Sequence, residues 1–358
     1  MSKKIGILNS GGDCPGLNAV IASIVKLGVT MDYEFVGFER GWEGVLDPPM
    51  YMKLDSESVK GISYLGGTIL KTTSKGRFAG KVGEGNTNKI PVDILGQAKR
   101  NLDDLGVEGL IVIGGDGTLS AAMQLAEHGV NIIGVPKTID NDLNATDKTF
   151  GYSTAVSVAV DALDKIHTTA TSHERTFIVE CMGRGAGWIT LSAGLAGGAN
   201  AILLPEFDFS VDDLISHMRS RLKNQNRSTI IAIAEGARVN GSSVHAHSDH
   251  KEVRYAGVSE VLMNEIEDTS PGEFELRNVI LGHTQRGGNP NAEDRTLAKR
   301  YGVAVMDAYH NGEFGKMVAV KDNEMRLCPI EEAVEEIKLV SEYVHEYTVA
   351  QRLGIFIH

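Results

Sequence analysis

The sequence GLIVIGGDGT, which spans residues 109–118, decides the fold. Residues 109–113 are almost entirely apolar, a pattern typical of a parallel strand that is covered on both faces. Gly114, Gly115 and Gly117 surround Asp116, and glycines between a strand and a helix expose backbone N–H groups to an anion. The segment therefore predicts a strand, a glycine-rich turn that is a candidate anion site, and a helix.

Similar apolar runs recur along the chain and alternate with helical patterns. The clearest helical pattern is Ser153–His167, where Val156, Val160 and Leu163 fall on one face. This alternation predicts an α/β fold with two doubly wound lobes, each built on a mostly parallel sheet, and an active site in the cleft between them. The other predicted strands are Ile5–Leu8, Glu34–Phe38, Asn131–Val135, Thr176–Glu180, Ala201–Leu204, Thr229–Ala234 and Asn278–Leu281.

Composition and charge narrow the possible partners and the cellular location of the protein. The chain has 358 residues and a formal net charge of −12, which argues against nucleic acid or an anionic membrane as a partner. Cys14, Cys181 and Cys328 are odd in number and widely spaced, so we expect no disulfide framework and a reducing, cytoplasmic location. The first residues run straight into an apolar strand, and no apolar run reaches about 18 residues, so we expect neither a signal peptide nor a membrane helix.

Another glycine-rich turn, Asn9–Asn18, follows the first predicted strand. It is not G-x-G-x-x-G and it lacks the lysine of a P-loop. Alone, a tight turn without a ligand explains it at least as well as a phosphate site. Two such turns in one sheet favour a phosphate site, and a carboxylate beside phosphate requires a cation, for which Mg²⁺ is the natural choice.

Two carboxylates, Asp140 and Asp142, lie two residues apart in the segment Pro136–Asp142. Paired carboxylates at the end of a strand are costly unless a metal or a function holds them. One is a candidate general base, and the other is a candidate metal ligand. An Asx-rich turn that caps the next helix explains the motif about equally well.

Basic residues gather near the ends of later strands. Arg175 precedes one predicted strand, Arg184 follows it, and Arg277, His283 and Arg286 accompany another. In an acidic protein such residues are candidate phosphate clamps. Any single arginine is more often part of a surface salt bridge, but their number favours a shared anionic ligand.

Three histidines, His245, His247 and His250, lie in the polar segment 239–257. Together they form a candidate metal cluster. The segment has no strand or helix pattern that would fix ligand geometry, so we favour a solvated loop.

In their order these motifs resemble the phosphofructokinase family, and the resemblance extends from Ile5 to about Asp307. It implies a 6-phosphofructokinase, a glycolytic phosphotransferase that transfers the γ-phosphoryl group of ATP to the 1-hydroxyl of fructose 6-phosphate, with Mg²⁺ as cofactor. The motifs are S-G-G-D-x-P-G-x-N at Ser10–Asn18, G-G-D-G-T at Gly114–Thr118, P-x-T-I-D-N-D at Pro136–Asp142, S-H-x-R at Ser172–Arg175, M-G-R at Met182–Arg184, P-E at Pro205-Glu206 and G-H-x-Q-R-G-G at Gly282–Gly288.

The resemblance implies roles at the donor side of the reaction. Asp140 would act as general base, Thr138 would contact the transferred phosphoryl group, and Arg184 would neutralise charge in the transition state. Asp116 and Asp142 would bind or organise Mg²⁺. Gly11 would take part in catalysis and would also hold the donor. The other residues implied to hold the donor are Lys75, Gly114, Gly115, Asp116, Gly117 and Thr118.

The resemblance also implies an acceptor site. His283 and Arg286 would bind the 6-phosphate, whereas Arg175 and Arg277 would reach in from a neighbouring subunit. The protein would therefore be a homo-oligomer, most simply a tetramer. The residues implied to bind the sugar phosphate are Thr138, Asp140, Asp142, Arg175, Met182, Gly183, Arg184, Glu235, Arg277, His283 and Arg286.

Two positions bear on the phosphoryl donor. Gly117 matches the ATP-dependent members, because pyrophosphate-dependent members usually carry aspartate there, whereas Lys137 matches the pyrophosphate-dependent members. We favour ATP and keep a pyrophosphate-dependent enzyme as the alternative. An NAD or lipid kinase shares only G-G-D-G-T, and a non-catalytic sugar-phosphate-binding subunit would not need Asp140.

The motifs also suggest a division of the chain. Residues 1–150 would form the donor-binding lobe, with a segment of about 290–330 packing back on it, and residues 151–289 would form the sugar-phosphate lobe. Residues 330–358 would form a C-terminal helical extension, in which Glu331–Val349 has the pattern of one amphipathic helix.

Overall fold

The structure is a computed structural model that describes residues 3–74, 76–78, 89–224, 226–243, 245–246, 254–255 and 257–358. Lys75, His247 and His250 lie outside these residues, so the roles considered for them stay predictions. Among the described residues, no group of three or more potential metal-ligating side chains occurs. Within the same ranges, no helix is both long and apolar enough to cross a membrane.

The strands follow the apolar runs of the sequence. All eight predicted strands are present, and each predicted end lies within three residues of the observed one. The strands of the described residues are β1 (Lys3–Asn9), β2 (Tyr33–Phe38), β3 (Tyr51–Leu54), β4 (Val107–Gly114), β5 (Ile132–Thr138), β6 (Phe150–Gly151), β7 (Thr176–Cys181), β8 (Ala201–Leu203), β9 (Thr229–Ala234), β10 (Arg238–Val239), β11 (Ser242–Ser243), β12 (His245–Ala246), β13 (Arg254–Tyr255), β14 (Leu276–Ile280), β15 (Lys316–Lys321), β16 (Glu324–Pro329) and β17 (Phe356–Ile357).

Helices connect most of the longer strands. The helix predicted over Ser153–His167 is confirmed and extends further at its C-terminal end. The helices of the described residues are α1 (Leu17–Thr30), α2 (Val92–Asp104), α3 (Asp116–Glu127), α4 (Tyr152–His173), α5 (Trp188–Ala196), α6 (Val211–Lys223), α7 (Val258–Thr269), α8 (Ala292–His310), α9 (Ile330–Val334) and α10 (His345–Arg352).

The chain divides into two units, and the first contains Met1–Ile139, Leu143–Thr154 and Arg286–Ile337. Its sheet has the strand order β16-β15-β5-β4-β1-β2-β3, and β6 pairs with β5. The inner pairs are parallel, whereas β3 and β16 pair antiparallel at the two edges. All seven residues of β5 are buried, as expected for a parallel strand with covered faces.

The second unit contains Asp140–Asp142, Ala155–Gln285 and Lys338–His358. Its main sheet has the order β14-β7-β9-β8-β17, and every pair in it is parallel. Its core includes Ile178, Ile231 and Leu262, which are fully buried. Each such side chain contributes about 1.5–3 kcal/mol on burial. The mostly parallel α/β architecture predicted from the sequence is confirmed.

The single amphipathic helix predicted over Glu331–Val349 is wrong. Helix α9 ends at Val334 and α10 begins only at His345. Two backbone N–H groups between these helices donate to acceptors distant in sequence, from Lys338 to Asp142 O and from Val340 to Glu206. Because these N–H groups have tertiary partners, they are not used in a continuous helix.

Candidate active site

The first glycine-rich turn follows β1 in the first unit. Ser10 N donates to Ile113 O at 3.1 Å, and Gly11 N donates to Thr73 O at 3.1 Å. Thr72 Oγ1 donates to Gly11 O at 2.6 Å. Gly11 has φ +82°, a left-handed conformation that favours glycine. The turn is thus fixed to the end of β4 and to the segment around residue 73.

The second glycine-rich turn follows β4. Gly115 is the N-cap of α3, and Asp116 lies in the first turn of that helix with a half-buried side chain. Strand β1 has β2 on one side and β4 on the other. The strand order therefore reverses between β1 and β4, which is where open α/β sheets bind ligands.

The first unit brings both turns to the end of β5. A Cβ atom at Gly11 would lie 3.4 Å from Thr118 Oγ1 and 3.5 Å from Lys137 Nζ. A Cβ atom at Gly115 would lie 3.4 Å from Lys137 O. The carboxyl ends of β1, β4 and β5 thus form one continuous surface, lined by glycine backbone and a few polar side chains.

Two cationic side chains contact the first turn. Lys137 is only 3% exposed, and its Nζ donates to Gly12 O at 2.5 Å. Arg286 Nη1 donates to Asp13 O at 3.3 Å, and a Cβ atom at Gly12 would lie 2.7 Å from Arg286 Nη1. In a chain of net charge −12, two cations on one glycine turn concentrate positive charge at that turn.

In the second unit, a tight turn follows β7. Glu235 Oε1 accepts hydrogen bonds from Gly183 N at 3.2 Å and from Arg184 N at 2.8 Å. Burial raises the pKa of Glu235, and the nearby charge of Asp140 raises it further. Arg184 has φ +51° and an exposed side chain. The carboxylate thus fixes the backbone that presents the Arg184 guanidinium.

The acidic turn also belongs to the second unit. Asp140 is only 4% exposed, and Asn141, which is 5% exposed, has φ +52°. Asp142 is half-buried, and its carbonyl oxygen accepts a hydrogen bond from Lys338 N at 2.8 Å. The hydrogen bond from Lys338 N thus fixes the backbone of this turn at Asp142.

Four residues of the predicted basic set, Arg175, Arg184, Arg277 and His283, lie near the two ends of the main sheet of the second unit. Arg175 Nε and Arg277 Nη2 both contact Glu275 Oε1, at 2.6 and 2.8 Å, near the amino ends of β7 and β14. His283 follows the carboxyl end of β14, and six residues of β7 separate the two ends. This separation is about 20 Å at the usual rise of a strand. Within one chain, Arg175 and Arg277 therefore do not share a ligand with His283.

Glu206 has a role that the sequence did not reveal. Its Oε1 accepts hydrogen bonds from Gly187 N at 2.8 Å and from Val340 N at 2.9 Å. Burial raises its pKa. The P-E motif pointed to this residue, but no feature of the sequence identifies its two backbone partners.

The residues present fit a magnesium ion carried by a phosphate ligand. Mg²⁺ usually keeps several waters and binds through one or two carboxylates together with substrate phosphates. Asp116, half-buried beside the Gly114-Gly115 turn, supplies such a carboxylate. A site of this kind does not require a cluster of protein ligands.

A model of one protein family, described as Phosphofructokinase, matches residues 4–309. The chain belongs to the phosphofructokinase family. Solved structures agree with this assignment. The phosphofructokinase of Saccharomyces cerevisiae aligns with a TM-score of 0.79 and 29% identity over 93% of this chain, which spans only 45% of the yeast chain.

Two curated relatives of this chain come from Streptomyces coelicolor. One is named pyrophosphate–fructose 6-phosphate 1-phosphotransferase, and it is 45% identical over 99% of this chain and 99% of its own. The other is named ATP-dependent 6-phosphofructokinase 3, and it is 44% identical over 95% of this chain and 97% of its own. Nearly equal identity to proteins with different donors leaves the donor to be argued from residues.

Proposed function

We propose that this phosphofructokinase transfers a phosphoryl group from MgATP to the 1-hydroxyl of fructose 6-phosphate, giving fructose 1,6-bisphosphate in glycolysis. The observation that carries the proposal is the convergence of Gly11, Thr118 and Lys137 at the carboxyl ends of β1, β4 and β5. The surface offers backbone N–H groups, a helix N-terminus and cations to a polyphosphate. The names of the two relatives supply the acceptor.

Gly117 supports ATP as the donor. It is the second residue of α3, within the turn that would face the phosphates. A glycine there leaves room for the α-phosphate of a nucleotide, whereas a carboxylate would fill that space and repel the phosphate. Lys137 is compatible with ATP because its ammonium holds the first turn through Gly12 O.

Asp140 is proposed as the general base on the sugar hydroxyl. Phosphoryl transfer passes through a loose transition state in which catalysis consists mainly of positioning and charge stabilisation. An aspartate then needs only to accept a proton that leaves late. The small exposed fraction of Asp140, 4%, protects it from competing solvent.

Contact with the transferring phosphoryl group, and stabilisation of its charge, are assigned to a few residues. Thr138 and the Gly11 backbone would contact the phosphoryl group, and Arg184 would stabilise the charge that develops on its oxygens. Asp116 and Asp142 would hold Mg²⁺, which when bound neutralises phosphate charge. Gly114, Gly115 and Thr118 would hold the rest of the donor.

The acceptor site is assigned to the end of β7 and its neighbours. Met182, Gly183 and Glu235 would bind the sugar, and His283 and Arg286 would bind its 6-phosphate. Arg175 and Arg277 lie at the other end of the sheet, which supports the proposal that they serve a neighbouring subunit of a homotetramer. The tetramer and the cytoplasmic location stay predictions.

The donor is tested by measuring fructose 1,6-bisphosphate formation with Mg²⁺ and either ATP or pyrophosphate. We expect turnover with ATP, and we expect Gly117→Asp to lose at least tenfold of it. Gly117→Ala, which adds bulk without charge, should lose less. If Gly117→Asp leaves ATP turnover unchanged, the argument from this position is wrong.

A pyrophosphate-dependent enzyme is the second candidate, favoured by the buried ammonium of Lys137 on the first turn. It predicts turnover mainly with pyrophosphate and a large loss of that turnover in Lys137→Met, which keeps the length of the side chain and removes its charge. Turnover with neither donor would leave the non-catalytic sugar-phosphate-binding subunit as the better account.

A further inference from the structure

The segment Lys338–Val340, here called the brace, lies between α9 and α10 and outside the residues matched by the family model. Lys338 N donates to Asp142 O at 2.8 Å. Lys338 O accepts from Trp188 Nε1 at 2.7 Å, and Val340 N donates to Glu206 Oε1 at 2.9 Å. Every partner belongs to the second unit.

Glu206 joins the brace to the turn that carries Arg184. The oxygen that accepts from Val340 N also accepts from Gly187 N at 2.8 Å. Gly187 is the N-cap of α5 and follows Arg184 by three residues. Within that turn, Ala186 N donates to Gly183 O at 2.9 Å. Movement of Gly187 would therefore be transmitted to Arg184.

The other end of the brace meets the acidic turn. The hydrogen bond to Asp142 O holds the backbone two residues after Asp140. Lys338 Nζ lies 5.4 Å from the centre of the Trp188 ring, a cation–π contact that adds to the Nε1 hydrogen bond. Leu339 is 51% exposed, whereas Val340 is 3% exposed, so the brace is held both by its backbone hydrogen bonds and by the buried side chain of Val340.

We propose that the brace positions Asp140 and Arg184 relative to each other for phosphoryl transfer, with Glu206 as its positioning residue. The inference rests on the proposed function of Asp140 and Arg184. In-line transfer depends on near-attack geometry, and a displacement of about 1 Å caused far from the chemistry can cost about 10²-fold in rate.

The test compares Glu206→Ala with Glu206→Gln. Alanine removes the acceptor shared by two N–H groups, whereas glutamine keeps a carbonyl oxygen at the same place. We expect Glu206→Ala to lower kcat by about 10- to 100-fold with little change in the KM for the donor. Glu206→Gln should stay within about threefold of wild type.

Two further variants separate positioning from stability. Met218→Ala leaves a cavity in the core of the same unit, where Met218 lies on α6 and is 1% exposed. It should lower the melting temperature without lowering kcat per folded molecule. Trp188→Phe removes the Nε1 donor at the other end of the brace. It should therefore lower kcat, as Glu206→Ala does. It also serves as the test if Glu206→Ala does not fold.

Amide hydrogen exchange gives a readout that does not require turnover. With the brace as proposed, Glu206→Ala speeds exchange in residues 182–188 and also in residues 138–143, whereas Glu206→Gln changes neither. The proposal is overturned if the acidic turn keeps its protection in Glu206→Ala, or if Glu206→Gln loses as much kcat as Glu206→Ala. Absence of turnover in the wild-type protein would contradict the proposed function alone, and the exchange data would still decide whether the brace couples the two turns.

Discussion

A single methyl group at Gly236 should displace the Arg184 turn. A Cβ atom at this position would lie 2.0 Å from Arg184 O and 3.1 Å from Arg184 C. Carbon–oxygen contacts are normally at least about 3.3 Å, so Arg184 O would have to move by about 1.3 Å. The obstructing atom belongs to the backbone, so a side-chain rotation cannot relieve the clash.

The expected effect of Gly236→Ala follows from this displacement. Moving a charge-stabilising residue by about 1 Å costs about 10²-fold in rate, which corresponds to about 2.7 kcal/mol of transition-state stabilisation. Overpacking adds a loss of about 1–3 kcal/mol in the free energy of unfolding. We therefore expect kcat/KM for fructose 6-phosphate to fall about 100-fold in a protein that remains folded.

Gly185→Ala provides the matched control. Gly185 adjoins Arg184 in the same turn, and a Cβ atom there would meet no atom within 4 Å. Gly185→Ala should therefore have nearly wild-type steady-state kinetics with both substrates and a nearly wild-type free energy of unfolding in urea. If Gly236→Ala is folded and its kcat/KM stays within about threefold of that of Gly185→Ala, the geometric argument is refuted.

Three other variants test separate parts of the account. Asp140→Asn should lower kcat by about 10²–10⁴-fold while calorimetry still detects fructose 6-phosphate binding; lost binding with a normal fold would contradict its role as base. Asp294, fully buried, accepts from Gly151 N and from Thr154 N and Oγ1, so Asp294→Ala should cost about 3–5 kcal/mol in urea unfolding, more than Asp294→Asn. Burial raises the pKa of Glu235, so the folded state binds this proton more tightly than the unfolded state. That stabilisation is complete below pH 4.5 and is lost as pH rises through the raised pKa. The free energy of unfolding of wild type relative to Glu235→Gln should therefore fall between pH 4.5 and the raised pKa. A difference that stays constant with pH would exclude a contribution from this proton.

The parallel strands could be predicted from the sequence because their physical environment leaves a simple pattern. Parallel strands with two covered faces require continuous apolar runs, and β4 and β5 have them. The glycines that follow β1 and β4 mark the turns for a similar reason, since Gly11 adopts a conformation that other residues rarely adopt.

Other elements left no such pattern. Strand β16 carries the charged residues Glu324 and Arg326, and five of its six residues are exposed or half-buried, whereas β17 has only two residues. The C-terminal region was predicted as one helix because its apolar spacing fits a helical period. Its structure instead depends on tertiary hydrogen bonds such as Val340 to Glu206, which spans 134 residues.

The candidate site was predictable as a set of motifs but not as a geometry. Apolar runs locate the ends of β1, β4 and β5, and the turns after them could be expected to meet at one edge of the sheet. The attachment of Arg184 to Glu235 and of Gly187 to Glu206 could not be inferred, because both depend on which strands are neighbours. The basic residues were grouped as lying near strand ends, but Arg175 and Arg277 lie at the amino edge, where Glu275 pairs with both.

The central claim is that a phosphoryl group is transferred to the 1-hydroxyl of fructose 6-phosphate. Phosphorus NMR of the purified protein with Mg²⁺, fructose 6-phosphate and either donor measures this directly, because the new phosphate ester has its own resonance. The account predicts a second phosphomonoester signal, on carbon 1, that grows as the ATP signal falls and that grows at least about 100-fold more slowly with Asp140→Asn. A wild-type reaction in which neither donor yields that signal would contradict it.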